Sequence, residues 1–258
     1  DYLQLYRSNQ RIDHRDRFNL IYVKADVTDH AFAFASHQLK YAMDCTEETR
    51  KEVTNKRLVS PRTVEKDGSL RLVAPRDWCS GFFPGSLWFT YNFNRSDYWR
   101  QQAISYTWPI EEVKWHKGTH DLGFMINNSF GQAYRLTGER SYKDVVIQAS
   151  KSLIERYSDK VKAILSWDHS RDKWQFPVII DNMMNLEMLF WASEETGDPI
   201  YREIAINHAN TTLKNHFRVE HSSYHDIDYN PETGASQFIH THQGLHHHSI
   251  WTLCQAVG

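Results

Sequence analysis

The sequence predicts an all-α protein made of helical hairpins in two layers, and three observations carry that reading. Apolar residues recur at three- and four-residue steps in segment after segment: Phe32, Ala35, Leu39 and Met43; Leu87, Trp88 and Tyr91; Val145, Ala149, Leu153 and Ile154. Helix stop signals close several of these segments, as at Thr137-Gly138 and Thr196-Gly197. A weak internal repeat links them. Leu136-Thr137-Gly138-Glu139-Arg140-Ser141-Tyr142-Lys143 is echoed by Glu195-Thr196-Gly197-Asp198-Pro199-Ile200-Tyr201-Arg202, and more faintly by Ser96-Asp97-Tyr98-Trp99-Arg100. Each copy joins a more apolar helix to a more amphipathic one, the inner-turn-outer rhythm of a two-layer helical barrel.

In chain order, residues 1–28 are mixed and charged with no periodicity, and read as a divergent or disordered arm. Residues 29–258 form the helical domain. Its first helix is expected to start at Thr28-Asp29. Residues 51–76 lose the helical period, and β-prone pieces around Asp67-Gly68 suggest a loop or small hairpin. Helices follow at Gly81–Phe93, with Pro84 tolerated in the first turn, and at Tyr98 to about Val113 behind Ser96-Asp97. Asp121 leads a helix to Thr137, and Ser141–Tyr157 is the next. Residues 158–177 read as a long loop carrying Trp167 and Trp174. A helix led by Asp181 ends at Thr196, with Met183, Leu186, Leu189 and Phe190 on its core face. Tyr201 to about Phe217 follows, then an irregular, partly β segment to Ile239. About four hairpins result.

Bulk properties exclude several classes. The chain has 258 residues, with 30 Lys plus Arg against 32 Asp plus Glu, so no nucleic-acid or membrane surface is expected. No apolar run is long enough to span a bilayer, and no basic-then-apolar leader opens the chain. Cys45, Cys79 and Cys254 are odd in number and widely spaced, so no disulfide framework is expected. His240, His242, His246, His247 and His248 invite a zinc reading. No acid or Cys joins them at a standard spacing, so neither a metal nor another cofactor is expected.

The chemistry points to two short stretches. In Val178-Ile179-Ile180-Asp181-Asn182-Met183-Met184-Asn185, three consecutive apolar residues deliver one carboxylate to the start of an apolar helix. In Thr119-His120-Asp121-Leu122-Gly123-Phe124, a second Asp leads a second apolar helix. An Asp in such a place commonly caps the first free N–H groups. Its alternative role is a partly desolvated general acid/base, and paired carboxyls at the same end of two helices favour that role. His120 could share a proton with its neighbours or simply cap the turn.

These two stretches resemble signature segments of the unsaturated glucuronyl hydrolases, a glycoside hydrolase family. The resemblance extends to Asp77-Trp78-Cys79-Ser80-Gly81-Phe82-Phe83-Pro84-Gly85-Ser86-Leu87-Trp88, to Ser222-Ser223-Tyr224-His225 and to Thr241-His242-Gln243-Gly244, in order over roughly residues 30–245. It implies an (α/α)6-barrel of six hairpins, here apparently incomplete at the C-terminus, in a bacterial protein of the periplasm or cytoplasm. It also implies the reaction: hydration of the C4=C5 double bond of a 4,5-unsaturated uronic acid on a lyase-generated glycosaminoglycan oligosaccharide. By that resemblance Asp181 is the general acid/base and Asp121 the second essential carboxylate. Trp78, Phe82, His120, Trp167, His225, His242, Gln243 and Trp251 line the sugar site.

One departure is notable. Leu253 stands where the family has an Arg that helps hold the substrate, and Val257 replaces a Trp. An Arg grips a uronate carboxylate through its bidentate fork, and a Leu cannot. The alternative expectation is therefore a catalytically inactive sugar-binding remnant of the same fold.

Overall fold

A computed structural model describes residues 20–55, 57–241, 243–247 and 249–250, with side chains from residue 27 onward. Two compact units divide at Ala42–Met43. Helix α1 (Leu20–Glu52) carries that boundary and closes on Arg50 and Lys51, cations suited to a helix C-terminus. It already runs from Leu20 rather than from Thr28-Asp29, so the described part of the expected arm is helical. The rest of that arm lies outside the described residues. In the first unit Phe32, Ala35 and Leu39 are half-buried along one face.

The second unit opens with an antiparallel hairpin, β1 (Ser60–Val64) with β2 (Leu70–Val73), whose turn holds Gly68 at φ 88°. Three helical hairpins follow among the described residues. The first is α2 (Phe82–Asn94) with α3 (Asp97–Thr107), locked inside by the Trp88 indole donating to Thr107 Oγ1 at 2.9 Å. Pro109 then tightens the chain into a 3-10 segment, Trp108–Trp115, where a continuous helix to Val113 was expected.

The second hairpin departs most from expectation. Gly123–Gly131 is a π-helix that passes into α4 (Gln132–Thr137), and α5 (Arg140–Ile154) returns. Gly123, Phe124, Met125, Ile126, Ser129 and Phe130 are all buried, so this segment is enclosed on more than the single stripe of a regular amphipathic helix. The third hairpin is α6 (Leu186–Thr196) with α7 (Pro199–Asn215), entered through a 3-10 turn, Ile180–Asn185. That turn also corrects the expected core face. Asn182, Asn185, Leu186, Met188 and Leu189 are buried, while Met183 and Phe190 are only half-buried.

Between the hairpins the expected long loop contains a two-residue ladder, β3 (Tyr157–Ser158) with β4 (Ala163–Ile164). A three-stranded antiparallel sheet completes the unit: β5 (Pro177–Ile179), β6 (Asp226–Tyr229) and β7 (Ser236–His240), with β6 central. Val178, Ile227 and Tyr229 pack with Val161, Ala163 and Phe176 in one apolar cluster. No helix among the described residues is long and apolar enough to cross a membrane.

Candidate active site

Asp181 leads its turn, two residues past the apolar strand β5, but it does not cap the turn. Ile179 holds the extended cap position, and no side chain bonds the first free N–H groups. The 3-10 turn instead aims the Asp181 carboxylate at His120. The His120 backbone N–H donates to the Ser166 carbonyl at 3.1 Å, and Thr119 bridges Trp167, so the segment before Asp121 is stitched to the loop after β4.

The His120 ring is buried and meets acceptors on both sides. Nδ1 lies 2.9 Å from the Ser166 carbonyl oxygen. Nε2 lies 3.0 Å from Asp181 Oδ1 and 3.2 Å from Asp121 Oδ1. A carbonyl can only accept, so Nδ1 carries a hydrogen and donates it. Burial alone would lower the His120 pKa. The Asp121 charge, the hydrogen bond and charge of Asp181, and the Ser166 carbonyl outweigh it, and the value is pushed up to about 9. The two carboxylates thus converge on one ring nitrogen and share its proton. Asp121 is further held by the Thr119 hydroxyl, which donates to Oδ2 at 2.5 Å.

The supporting geometry is close. A Cβ added at Gly123 would lie 2.4 Å from Asn185 Oδ1 and 2.8 Å from its Cα, so only glycine lets the Asp121 and Asp181 segments approach this way. Asn185 Oδ1 accepts from the Phe124 N–H at 3.2 Å across the same gap. Arg156, buried beneath, donates to the carbonyls of Lys117 and Leu165 and to Asp168, clamping the segments that carry His120 and Ser166.

The other expected residues fall around this centre. Trp78 and Phe82 are 43% and 41% exposed, too open for core aromatics, and both meet the ring of Phe124, three residues after Asp121, at 6.1 and 5.7 Å. Together with Pro61, Arg62, Cys79, Phe83 and Ser86 they line an open cavity of about 360 Å³. Trp167, expected in a polar loop, is instead 8% exposed and packed against Trp174 and Ile179. His225 is buried, and its backbone carbonyl accepts from the Ile180 N–H at 2.9 Å, one residue before Asp181. The Gln243 side chain is exposed, and its backbone N–H reaches His225 Nδ1 at 3.5 Å. His242, Trp251 and the divergent Leu253 lie outside the described residues. Among the described residues, no three His, Cys, Asp or Glu side chains form a metal-holding group.

Asn182, Asn185 and Arg156 were missed by sequence reasoning. Their only signal was polarity at positions the helical period assigns to the core, as at Asn185 beside Leu186.

No family model matches the chain. The unsaturated glucuronyl hydrolase of Formosa agariphila is 44% identical over 199 residues, covering 77% of this chain and 48% of that protein. The chain belongs to the unsaturated glucuronyl hydrolase family. The unsaturated chondroitin disaccharide hydrolase of Streptococcus agalactiae is 33% identical over 186 residues, covering 70% of this chain and 46% of the relative. A crystal structure of an unsaturated glucuronyl hydrolase specific for heparin aligns at a TM-score of 0.77 and 41% identity, over 87% of this chain and 60% of that one. Structures of this family are α/α-barrels, and α2 to α7 supply three consecutive hairpins of that fold. The chain spans about half the length of the curated relatives it matches.

Proposed function

We propose that this chain carries the acid/base centre of an unsaturated glucuronyl hydrolase, acting on the 4,5-unsaturated uronic acid that polysaccharide lyases leave on glycosaminoglycan oligosaccharides. The observation that carries the reading is the convergence of Asp121 and Asp181 on His120 Nε2. Hydration of an enol ether needs a proton donor at C4, a base for water at C5, and negative charge near the cation between them. Asp181 gives its proton to C4, and the resulting cation is shared with the ring oxygen. The same carboxylate then takes a proton from the water adding at C5, and the hemiketal opens to release the aglycone. The proton taken from water restores Asp181 for the next turnover, while Asp121 orients the sugar hydroxyls and the protonated His120, 3.0 Å from Asp181, holds both carboxylates in place. Trp78 and Phe82 offer aromatic faces to the sugar, and His225 lies beside its site. The names of relatives that mention chondroitin disaccharides and heparin support an anionic disaccharide as the substrate class.

The experiment follows the near-UV absorbance of the conjugated uronate in an unsaturated chondroitin disaccharide. The native chain is expected to bleach it, and Asp181→Asn to slow that at least ~10³-fold. Bleaching within tenfold of native in Asp181→Asn contradicts the assignment. Calorimetric binding with no bleaching by the native chain would instead support the sugar-binding remnant.

A further inference from the structure

The hairpin of β1 and β2 carries a bulge. Ser60 and Pro61 pair with Val73 and Leu72, and Thr63 and Val64 pair with Arg71 and Leu70, so Arg62 is the extra residue, with no partner across the ladder. A bulge gives up ladder pairing and re-aims one side chain, often beside a working site. Here Arg62 lines the open cavity that Trp78 and Phe82 also line. Its placement is fixed from below. The buried Ser60 hydroxyl donates to the Ser80 carbonyl at 3.0 Å, which ties β1 to the turn carrying Trp78.

The Arg62 guanidinium is little used by the fold. Its ion-pair partner among the described residues is Asp77, with Nη1 3.6 Å from Oδ2, too long for a hydrogen bond. Asp77 Oδ1 is engaged elsewhere, accepting the Cys79 N–H at 3.1 Å and its thiol at 2.9 Å. The thiol does not balance the Arg62 charge either. Burial, then the hydrogen bond and charge of Asp77, push Cys79 up to about 12 against the pull of Arg62, so it stays neutral. Buried Arg156, by contrast, donates to two carbonyls and to Asp168. Arg62 thus presents an open donor fork beside two exposed aromatic rings.

We infer that Arg62 is a specificity-determining residue that binds a sulfate ester on the sugar to which the unsaturated uronate is linked. This role rests on the uronate reading above, and the test separates the two. Neither Asp121 nor Asp181 lines the cavity, whereas the reacting ring must lie over both, so the cavity receives the neighbouring sugar. Phe124 joins the two places. It follows Asp121 by three residues, and its ring meets those of Trp78 and Phe82. The aromatic faces carry the sugar ring, and none of the described lining residues is acidic. A sulfate ester keeps its charge at any working pH, as a guanidinium does, and its oxygens accept two N–H groups of the fork at once. Every lyase product carries the uronate carboxylate, so that group cannot select among them. A charge on the second sugar can.

The whole chain is titrated by calorimetry with unsulfated, 4-sulfated and 6-sulfated unsaturated chondroitin disaccharides, and the bleaching assay is run on the same samples. Arg62→Met keeps the apolar stem and removes the fork. It is expected to weaken at least one sulfated sugar about tenfold or more beyond its effect on the unsulfated one. A smaller difference overturns the inference, and equal weakening of all three would assign Arg62 to the uronate instead, which also overturns it. So does a native chain that binds none of the three. If the Arg62-dependent preference holds while the native chain bleaches nothing, the hydration chemistry fails and sulfate recognition at Arg62 stands. Bleaching without that preference gives the reverse result. Should Arg62→Met not fold, Arg62→Gln is judged by the same criteria.

Discussion

His120 and His208 are both buried, yet one is charged and the other neutral. Burial pushes His208 down to about 3 and His216 down to about 4, because neither meets a carboxylate. Their single ring contacts are neutral: His208 Nδ1 accepts from the Ile164 N–H, and His216 Nε2 donates to the Val178 carbonyl. His120 is buried too, yet two carboxylates and a carbonyl drive it up to about 9. Enclosure therefore sets the cost of a charge, and the partners decide whether it is met. Within one helical unit, some histidines serve as neutral structural pins and another as a charged link between two carboxylates.

The contrast gives opposite pH dependences, and the largest expected effect is on the acid side. For His208 and His216 the folded pKa lies below the ordinary 6.5, so their stability is present above that pH and is lost as pH falls towards 4 and 3. Denaturant titrations should show a fall on the order of 5 kcal/mol between pH 6.5 and 4. The His120 contribution has the other sign: it is present below 6.5 and is lost as pH rises through about 9. A flat acid limb would break the comparison.

A smaller effect probes the approach that lets the carboxylates meet. Gly123→Ala puts a Cβ into Asn185, so the Asp121 and Asp181 segments must separate. The expected loss is about 1–3 kcal/mol in thermal or denaturant unfolding, together with weaker coupling of His120 to Asp181. An unchanged midpoint would mean that the approach is looser than the geometry requires. The smallest effect sharpens the comparison. Thr119→Val removes the hydroxyl that donates to Asp121 Oδ2, at a cost of about 1 kcal/mol. With that donor gone, Asp121 has more charge to spend on His120, and the imidazolium should persist to a slightly higher pH by NMR.

Much of the fold was legible because helical periodicity and Gly caps are local signals. Gly138 and Gly197 end their helices with φ of 69° and 75°, where the repeat placed the turns. The departures are places where a helix changes pitch. Nothing in Gly123–Gly131 distinguishes a π-helix from an α-helix by apolar spacing, and the 3-10 turn at Ile180–Asn185 exchanged the expected Met183 for Asn182 and Asn185 in the core. The site was partly legible. Asp121, Asp181 and His120 occupy motif positions, but their convergence depends on a pairing between the Thr119 and Trp167 segments that no spacing reveals. Trp167 shows the opposite failure. Polar neighbours in sequence suggested exposure, yet its ring is packed against Trp174 and Ile179.

The central claim is that two carboxylates hold a proton on a buried imidazole, and the titration of His120 tests it most directly. In ¹⁵N-histidine NMR of the native chain, both His120 nitrogens should remain protonated through neutral pH and release a proton only near pH 9. A His120 that is already neutral at pH 7.5, titrating at or below the ordinary histidine value, would contradict the account.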